Sequence, residues 1–225
     1  MKKLLAVIIA AALLLSGCSL SSRPAVSAPP AETPSPSPTP IVTPTPAPEP
    51  SDDELVLVRD YLPGIFRDLK YATTDNFTGQ VIYDSDEAYL RYGTVKKLLA
   101  AQNELSGRGL SLKIWDAYRP VSAQFKLWEI CPNPVYVSDP NNGYSKHSHA
   151  NTVDITLVTD AGESIPMPSG FDDFTSLADR DYSDVSAEAA ENARLLESIM
   201  VENGFVPYSG EWWHYSDSVS YDVYG

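Results

Sequence analysis

The chain has 225 residues, a formal net charge of −14 and only two cysteines. An acidic balance with no visible basic patch argues against a nucleic-acid partner. Two cysteines cannot supply the disulfide framework of a small secreted scaffold.

Residues 1–17 begin with Lys2 and Lys3, run apolar from Leu4 to Leu15 and end in small residues. That is the pattern of a secretory signal, too short to form a stable membrane-spanning helix. The stretch Leu15-Ser16-Gly17-Cys18 resembles a bacterial lipobox, which implies cleavage before Cys18 and a lipid on its sulfur. The plainer alternative is an ordinary signal with an incidental cysteine. Losing Lys2 and Lys3 would take the charge from −14 to −16. So acidic a chain gains nothing from an anionic membrane, which favours a covalent anchor.

Residues 18–51 are dominated by proline, serine, threonine and alanine. Such a segment cannot bury enough surface to offset its ordering entropy, so a disordered, polyproline-like stalk is expected. About thirty residues at roughly 3 Å each would hold a domain tens of ångströms from a membrane. Residues 52–225 suffice for one domain with its own core. With Cys18 lipidated, Cys131 has no internal disulfide partner, and it reads as a buried small apolar residue.

Within the domain, LVLVRDYL at 55–62 alternates like a strand. Residues 68–86 are rich in turn formers and aromatics and predict an ordered loop with short strands. From Asp86 to Leu105, apolar residues including Ala88, Leu90, Val95 and Leu98 recur at helical spacing. SLKIWDAYR at 111–119 predicts a strand in which Leu112, Ile114 and Asp116 alternate with Lys113 and Trp115. Pro120 is placed to begin a helix continued by VSAQFKLWEI. Residues 131–149 form a long Pro-, Asn- and Gly-rich loop, of a length that is usually functional or disordered. NTVDITLV at 151–158 is the clearest strand, with Val153, Ile155 and Leu157 on one face and Thr152, Asp154 and Thr156 on the other. SAEAAENARLLESIMVENG is the clearest helix, capped by Ser186 and closed by Gly204. FVPYSGEWWHYSD reads as two short strands or one broken strand. Helices and strands interleave without a doubly wound period or a glycine-rich phosphate loop, which predicts an α+β domain with a small, mainly antiparallel sheet.

The three histidines are His147, His149 and His214. Asp154 sits mid-strand, where a carboxylate is costly unless it is hydrogen-bonded or holds a cation; a polar outer face is the alternative. His147, Asp154 and His214 would make the two-imidazole, one-carboxylate set of a catalytic zinc site that keeps one position open. Glu211 would then serve as general base, as metal-assisted hydrolysis requires. Its separation from His214 is odd, so an ideal strand would send the two to opposite faces. A bulge or a helical turn would bring them together; otherwise they are packing residues of an aromatic patch. Arg119, after a strand and before a helix, would suit an oxyanion, or is an ordinary arginine on a surface turn.

Taken in order, DLKYATTDNFTG, WDAYRP, NPVYVSDP, SKHSHANTVDITL, MPSGFDDF and EWWHY resemble the VanX-type zinc D-alanyl-D-alanine dipeptidases, from about Asp68 to Tyr215. The resemblance implies the α+β fold shared by D-Ala-D-Ala peptidases and the hedgehog signalling domain. It implies that His147, Asp154 and His214 bind one zinc ion, that Glu211 is the general base and that Arg119 stabilises a tetrahedral intermediate. It further implies that Ser145, Tyr71 and Asp172 line the dipeptide pocket. Two departures stand out. His149 and Ala150 occupy positions where the family usually has arginine and glycine, so a Cβ at 150 would strain a turn needing positive φ. His149 reads as an exposed or outer residue rather than a fourth ligand. The family is expected in the cytoplasm, whereas this chain reads as a lipid-anchored, extracytoplasmic protein. A D,D-carboxypeptidase trimming peptidoglycan stem peptides is therefore the enzymatic alternative, and a non-catalytic cell-wall-binding lipoprotein is the other.

Overall fold

A computed structural model describes residues 48–225; the expected signal, Cys18 and nearly all of the expected stalk lie outside the described residues. The first half of the domain holds β1 (Leu55–Leu57), α1 (Val58–Tyr61), β2 (Phe66–Arg67), β3 (Tyr89–Arg91), α2 (Tyr92–Ser106), β4 (Leu110–Asp116) and α3 (Val121–Ile130). The second half holds β5 (Thr152–Thr159), α4 (Ala187–Glu202), β6 (Phe205–Tyr208) and β7 (Glu211–Asp217). Five strands form one sheet in the order β2-β4-β5-β7-β6, antiparallel except for the β2–β4 pair. β1 and β3 form a separate antiparallel ribbon. This is the α+β class with a mainly antiparallel sheet.

The long helices α2 and α4 pack against each other and against the sheet. Leu98, Leu105, Leu196 and Ile199 share one core with Leu112, Ile114, Val153, Ile155 and Leu157. α4 begins where Ser186 Oγ accepts from Ala189 N at 3.2 Å, satisfying one of the unpaired first-turn amides. It ends at Gly204, whose φ of +85° favours glycine. The pattern over 205–217 resolves into two strands, β6 and β7.

Several elements differ from expectation. The strand at 55 stops at Leu57, and Val58–Tyr61 is one helical turn. The helix expected from Asp86 begins at Tyr92, because residues 89–91 pair with β1 and bury Leu90 as strand. Short apolar runs fit helix and strand alike, and strand pairing decides here. No strand falls within 68–86; a 3₁₀ turn at Lys70–Ala72 is the regular element there. Pro120 caps α3 from just outside rather than opening it, and Cys131 is half-buried against a small second core rather than fully buried.

Two ladder irregularities reset which side chains face the site. Between β4 and β5 the register moves from Ile114↔Ile155 to Asp116↔Asp154, leaving Trp115 as an extra residue. Asp116 is thereby rotated from the expected core face of Ile114 onto the face of Asp154. Between β6 and β7 the register moves from Pro207↔Tyr215 to Tyr208↔Glu211, so β7 carries three extra residues there. An odd insertion reverses face parity, so Glu211 joins the side of His214.

Ile155 is fully buried in the central strand. Ile155→Ala should lower unfolding free energy by about 2–5 kcal/mol, whereas Ser186→Ala should cost about 1 kcal/mol; urea titration measures both.

Candidate active site

Three adjacent strands set the site. The pairings Asp116↔Asp154 and Asp154↔His214 place Asp116, Asp154 and His214 in one row across β4, β5 and β7. His147 enters from a 3₁₀ turn at Lys146–His149, the last ordered turn of the long loop before β5. Two carboxylates directly opposite each other repel, and both are buried. The surrounding cations and imidazoles make that arrangement tenable.

His147 lies between the two acids. Its Nδ1 is 2.8 Å from the Ala117 carbonyl and 3.7 Å from Asp116 Oδ2, while Nε2 is 3.2 Å from Asp154 Oδ2. An Nδ1–H donating to that carbonyl leaves the Nε2 lone pair directed at Asp154. His214 Nδ1 approaches the other oxygen, Asp154 Oδ1, at 2.9 Å. One ligand atom from each of His147, Asp154 and His214 lies within 4.8 Å of the others. Burial alone would raise the Asp154 carboxyl, but the His147 and His214 imidazoles outweigh it and hold it below the usual carboxylate range. Burial pulls His147 down, and the Asp154 and Asp116 carboxylates more than reverse that. A pre-ionised carboxylate with two convergent imidazole nitrogens matches the donor set of a zinc-type centre.

Arg119 follows β4 and is buried. Its Nε and Nη2 donate to Asp116 Oδ2 at 3.1 and 2.6 Å, and Nη1 donates to Gln124 Oε1 at 3.0 Å. Tyr83 Oη donates to Asp116 Oδ1 at 2.5 Å, and the Ala117 amide donates to the same oxygen at 2.9 Å. The guanidinium also lies over the Tyr71 ring, 4.9 Å from its centroid. Tyr71 Oη in turn donates to Asp172 Oδ2 at 2.7 Å. Burial, then the neighbouring carboxylates, hold both tyrosines well above their ordinary range, so both remain donors. Asp172 has a φ of +52°, a left-handed conformation uncommon for a residue with a side chain. Its burial, and then the Asp154 charge against the help of the Tyr71 hydroxyl, push it up to about 7.

Glu211 Oε2 is 3.5 Å from His214 Nδ1. Burial and the Asp154 charge raise its carboxyl above the ordinary glutamate value. Ser145 lies beside His147, but its Oγ accepts from the His147 amide at 3.3 Å and so caps the turn. His149 turns away, with Nδ1 2.7 Å from the Tyr221 carbonyl. Ala150 has a φ of +58° and is fully buried, so the strain anticipated for a Cβ there is present, at about 1–2 kcal/mol.

The sequence reading overlooked Asp116, Tyr83 and Gln124. Asp116 stands three residues before Arg119 and joins that arginine to the metal-type cluster, yet the alternation of β4 assigned it to the core. Its signal was an acid beside a turn-forming Arg-Pro pair; the bulge that turns it onto the face of Asp154 has no mark in the strand's hydrophobic pattern.

A family model described as D-ala-D-ala dipeptidase matches residues 51–221. A D-alanyl-D-alanine dipeptidase of Escherichia coli (strain K12) is 38% identical over 72% of this chain and 83% of its own length. Proteins of the same description from Enterococcus faecium and Enterococcus faecalis (strain ATCC 700802 / V583) are 36% and 35% identical. They align over 68% and 73% of this chain and over 85% and 91% of their own lengths.

Arg119→Met leaves the buried Asp116 charge without its main partner. It should cost about 3–5 kcal/mol, and Arg119→Met with Asp116→Leu should recover much of that loss in urea unfolding. For Asp172, a folded-state pKa above the unfolded value means that folding loses stability as pH rises from about 4 to 7. In metal-free protein the stability of Asp172→Asn relative to the parent should therefore improve between pH 4 and pH 8; a constant difference would contradict the shift.

Proposed function

The chain belongs to the D-Ala-D-Ala dipeptidase family of metallopeptidases, and from that premise we propose that it hydrolyses free D-Ala-D-Ala at a zinc ion held by His147, Asp154 and His214. The observation that carries this reading is the convergence of those three side chains, with Asp154 Oδ1 and Oδ2 each facing one imidazole. A bound zinc ion supplies Lewis acidity that polarises the scissile carbonyl and acidifies water.

The chain's own groups supply the rest. Glu211, raised above its ordinary range beside His214, accepts a proton from the attacking water and returns it to the leaving amine. Arg119 carries two N–H groups on each terminal nitrogen, more than its contacts to Asp116 and Gln124 use, and it directs the spare donor capacity at the oxyanion. Asp116 locks the arginine's plane and faces His147. Asp172, held by Tyr71, receives the substrate's ammonium, and the dipeptide's charge would draw its proton off. Ser145 acts through the turn that presents His147 and lines the same end of the pocket.

We further propose an extracytoplasmic location with a lipid on Cys18, supported by the Leu15–Cys18 motif and the proline-rich spacer. That location favours a second substrate, the D-Ala-D-Ala ends of peptidoglycan stem peptides. The zinc-loaded protein should release D-alanine from the dipeptide at a higher kcat/KM than from a muramyl pentapeptide. The reverse order would assign it as a carboxypeptidase, and binding to peptidoglycan without product would assign a non-catalytic role. Glu211→Gln should keep stoichiometric zinc and lose about 10²–10⁴-fold in kcat; unchanged turnover would remove Glu211 as the base.

A further inference from the structure

The segment Val219–Tyr224 after β7 folds back along residues 148–151, which join His147 to β5. Each of these four residues is held from outside the loop. Tyr224 N donates to Ser148 O at 2.9 Å, His149 Nδ1 lies 2.7 Å from Tyr221 O, and Asn151 Nδ2 donates to Val219 O at 2.9 Å. Ser148 Oγ also donates to Arg119 O at 3.0 Å, and the Asp217 amide donates to Asn151 O at 2.7 Å. Arg91 holds the middle of the stretch. Its amide donates to Ala150 O at 2.8 Å and its Nε donates to His149 O at 3.1 Å.

The Arg91 guanidinium is buried and spends its other contacts on the same junction. Nη1 donates to Asp53 O at 2.6 Å and Nη2 to Asp222 O at 2.7 Å. The rings of Tyr221 and Tyr224 lie 5.4 and 4.9 Å from its central carbon, within cation–π range. The three N–H directions of one rigid planar fork thus bind three separate stretches of chain, which a lysine could not reproduce. Tyr118 Oη closes the tail by donating to Tyr224 O at 2.9 Å, next to Arg119. Gly93 makes room, since a Cβ there would fall 2.5 Å from the Tyr221 hydroxyl.

We infer that Arg91 and the segment Val219–Tyr224 form a brace that positions the loop between His147 and Asp154 and thereby sets metal affinity and coordination geometry. Arg91 is a positioning residue, since it touches no ligand side chain. The brace also accounts for Ala150, because contacts on both of its neighbours and on its own carbonyl hold it left-handed where a glycine would adopt that conformation unaided. His149 is thereby assigned a role in this chain, that of a tie to the tail.

The inference rests on the zinc-site reading, and the test separates the two. The unaltered 225-residue chain, a chain ending at Ser218 and Arg91→Lys would be compared by zinc affinity in chelator competition and by the visible absorption of the Co²⁺-loaded forms. Circular dichroism would confirm folding. The brace predicts roughly 10–100-fold weaker zinc binding in both variants, the scale set by groups that orient metal ligands, with altered Co²⁺ bands. His149→Phe, which removes a single tie, should shift affinity in the same direction by less and serves if the shortened chain does not fold. Parental affinity and an unchanged Co²⁺ spectrum in the folded variants would overturn the brace alone. Failure of the unaltered chain to bind zinc would overturn the metal reading.

Discussion

A buried carboxylate held between two imidazoles organises the polar face of this sheet. Asp154 sits in the middle of the central strand with its two oxygens 3.2 and 2.9 Å from His147 Nε2 and His214 Nδ1. An uncompensated charge at that depth would cost several kcal/mol. The neighbours answer that cost in layers. The imidazoles face Asp154, Asp116 and the Ala117 carbonyl orient His147, and Arg119, Tyr83 and the Ala117 amide satisfy Asp116. The core of α2, α4 and the opposite sheet face supplies the stability that lets so much polarity stay buried.

Much of this was legible in the sequence. The alternation of 152–157 located the central strand and put Asp154 opposite the core face. The Ser186 cap and Gly204 bounded α4 to within a residue or two. The odd separation of Glu211 and His214 meant that only a bulge or a helical turn could bring them together, and the β6–β7 irregularity is such a bulge. The remainder was hidden for a physical reason. A single-residue bulge at Trp115 changes the face of Asp116 without altering the apolar count of β4, so period-two reading assigns it wrongly. Residues 89–91 have spacing that suits helix or strand, and only pairing with a distant segment chooses between them.

The two bulges have related consequences. Each is local to one strand pair, and each turns an acid that regular pairing would misdirect onto the polar face of the sheet. Strands supply Asp154 and His214, which the sheet's ladder hydrogen bonds hold in place. The long loop and the 168–185 connection supply His147, Ser145 and Asp172, which depend on caps, ties and left-handed residues for their positions. His149 and Ala150 fall in that second group, where outside contacts rather than the sheet determine geometry.

Anomalous diffraction at the zinc edge, from crystals grown with zinc, would locate the ion that His147, Asp154 and His214 are proposed to hold. One full-occupancy peak is expected about 2.0–2.2 Å from His147 Nε2, an Asp154 oxygen and His214 Nδ1, with Glu211 outside bonding distance. A peak at His149, or none in well-ordered crystals, would rule out a zinc ion on these three side chains.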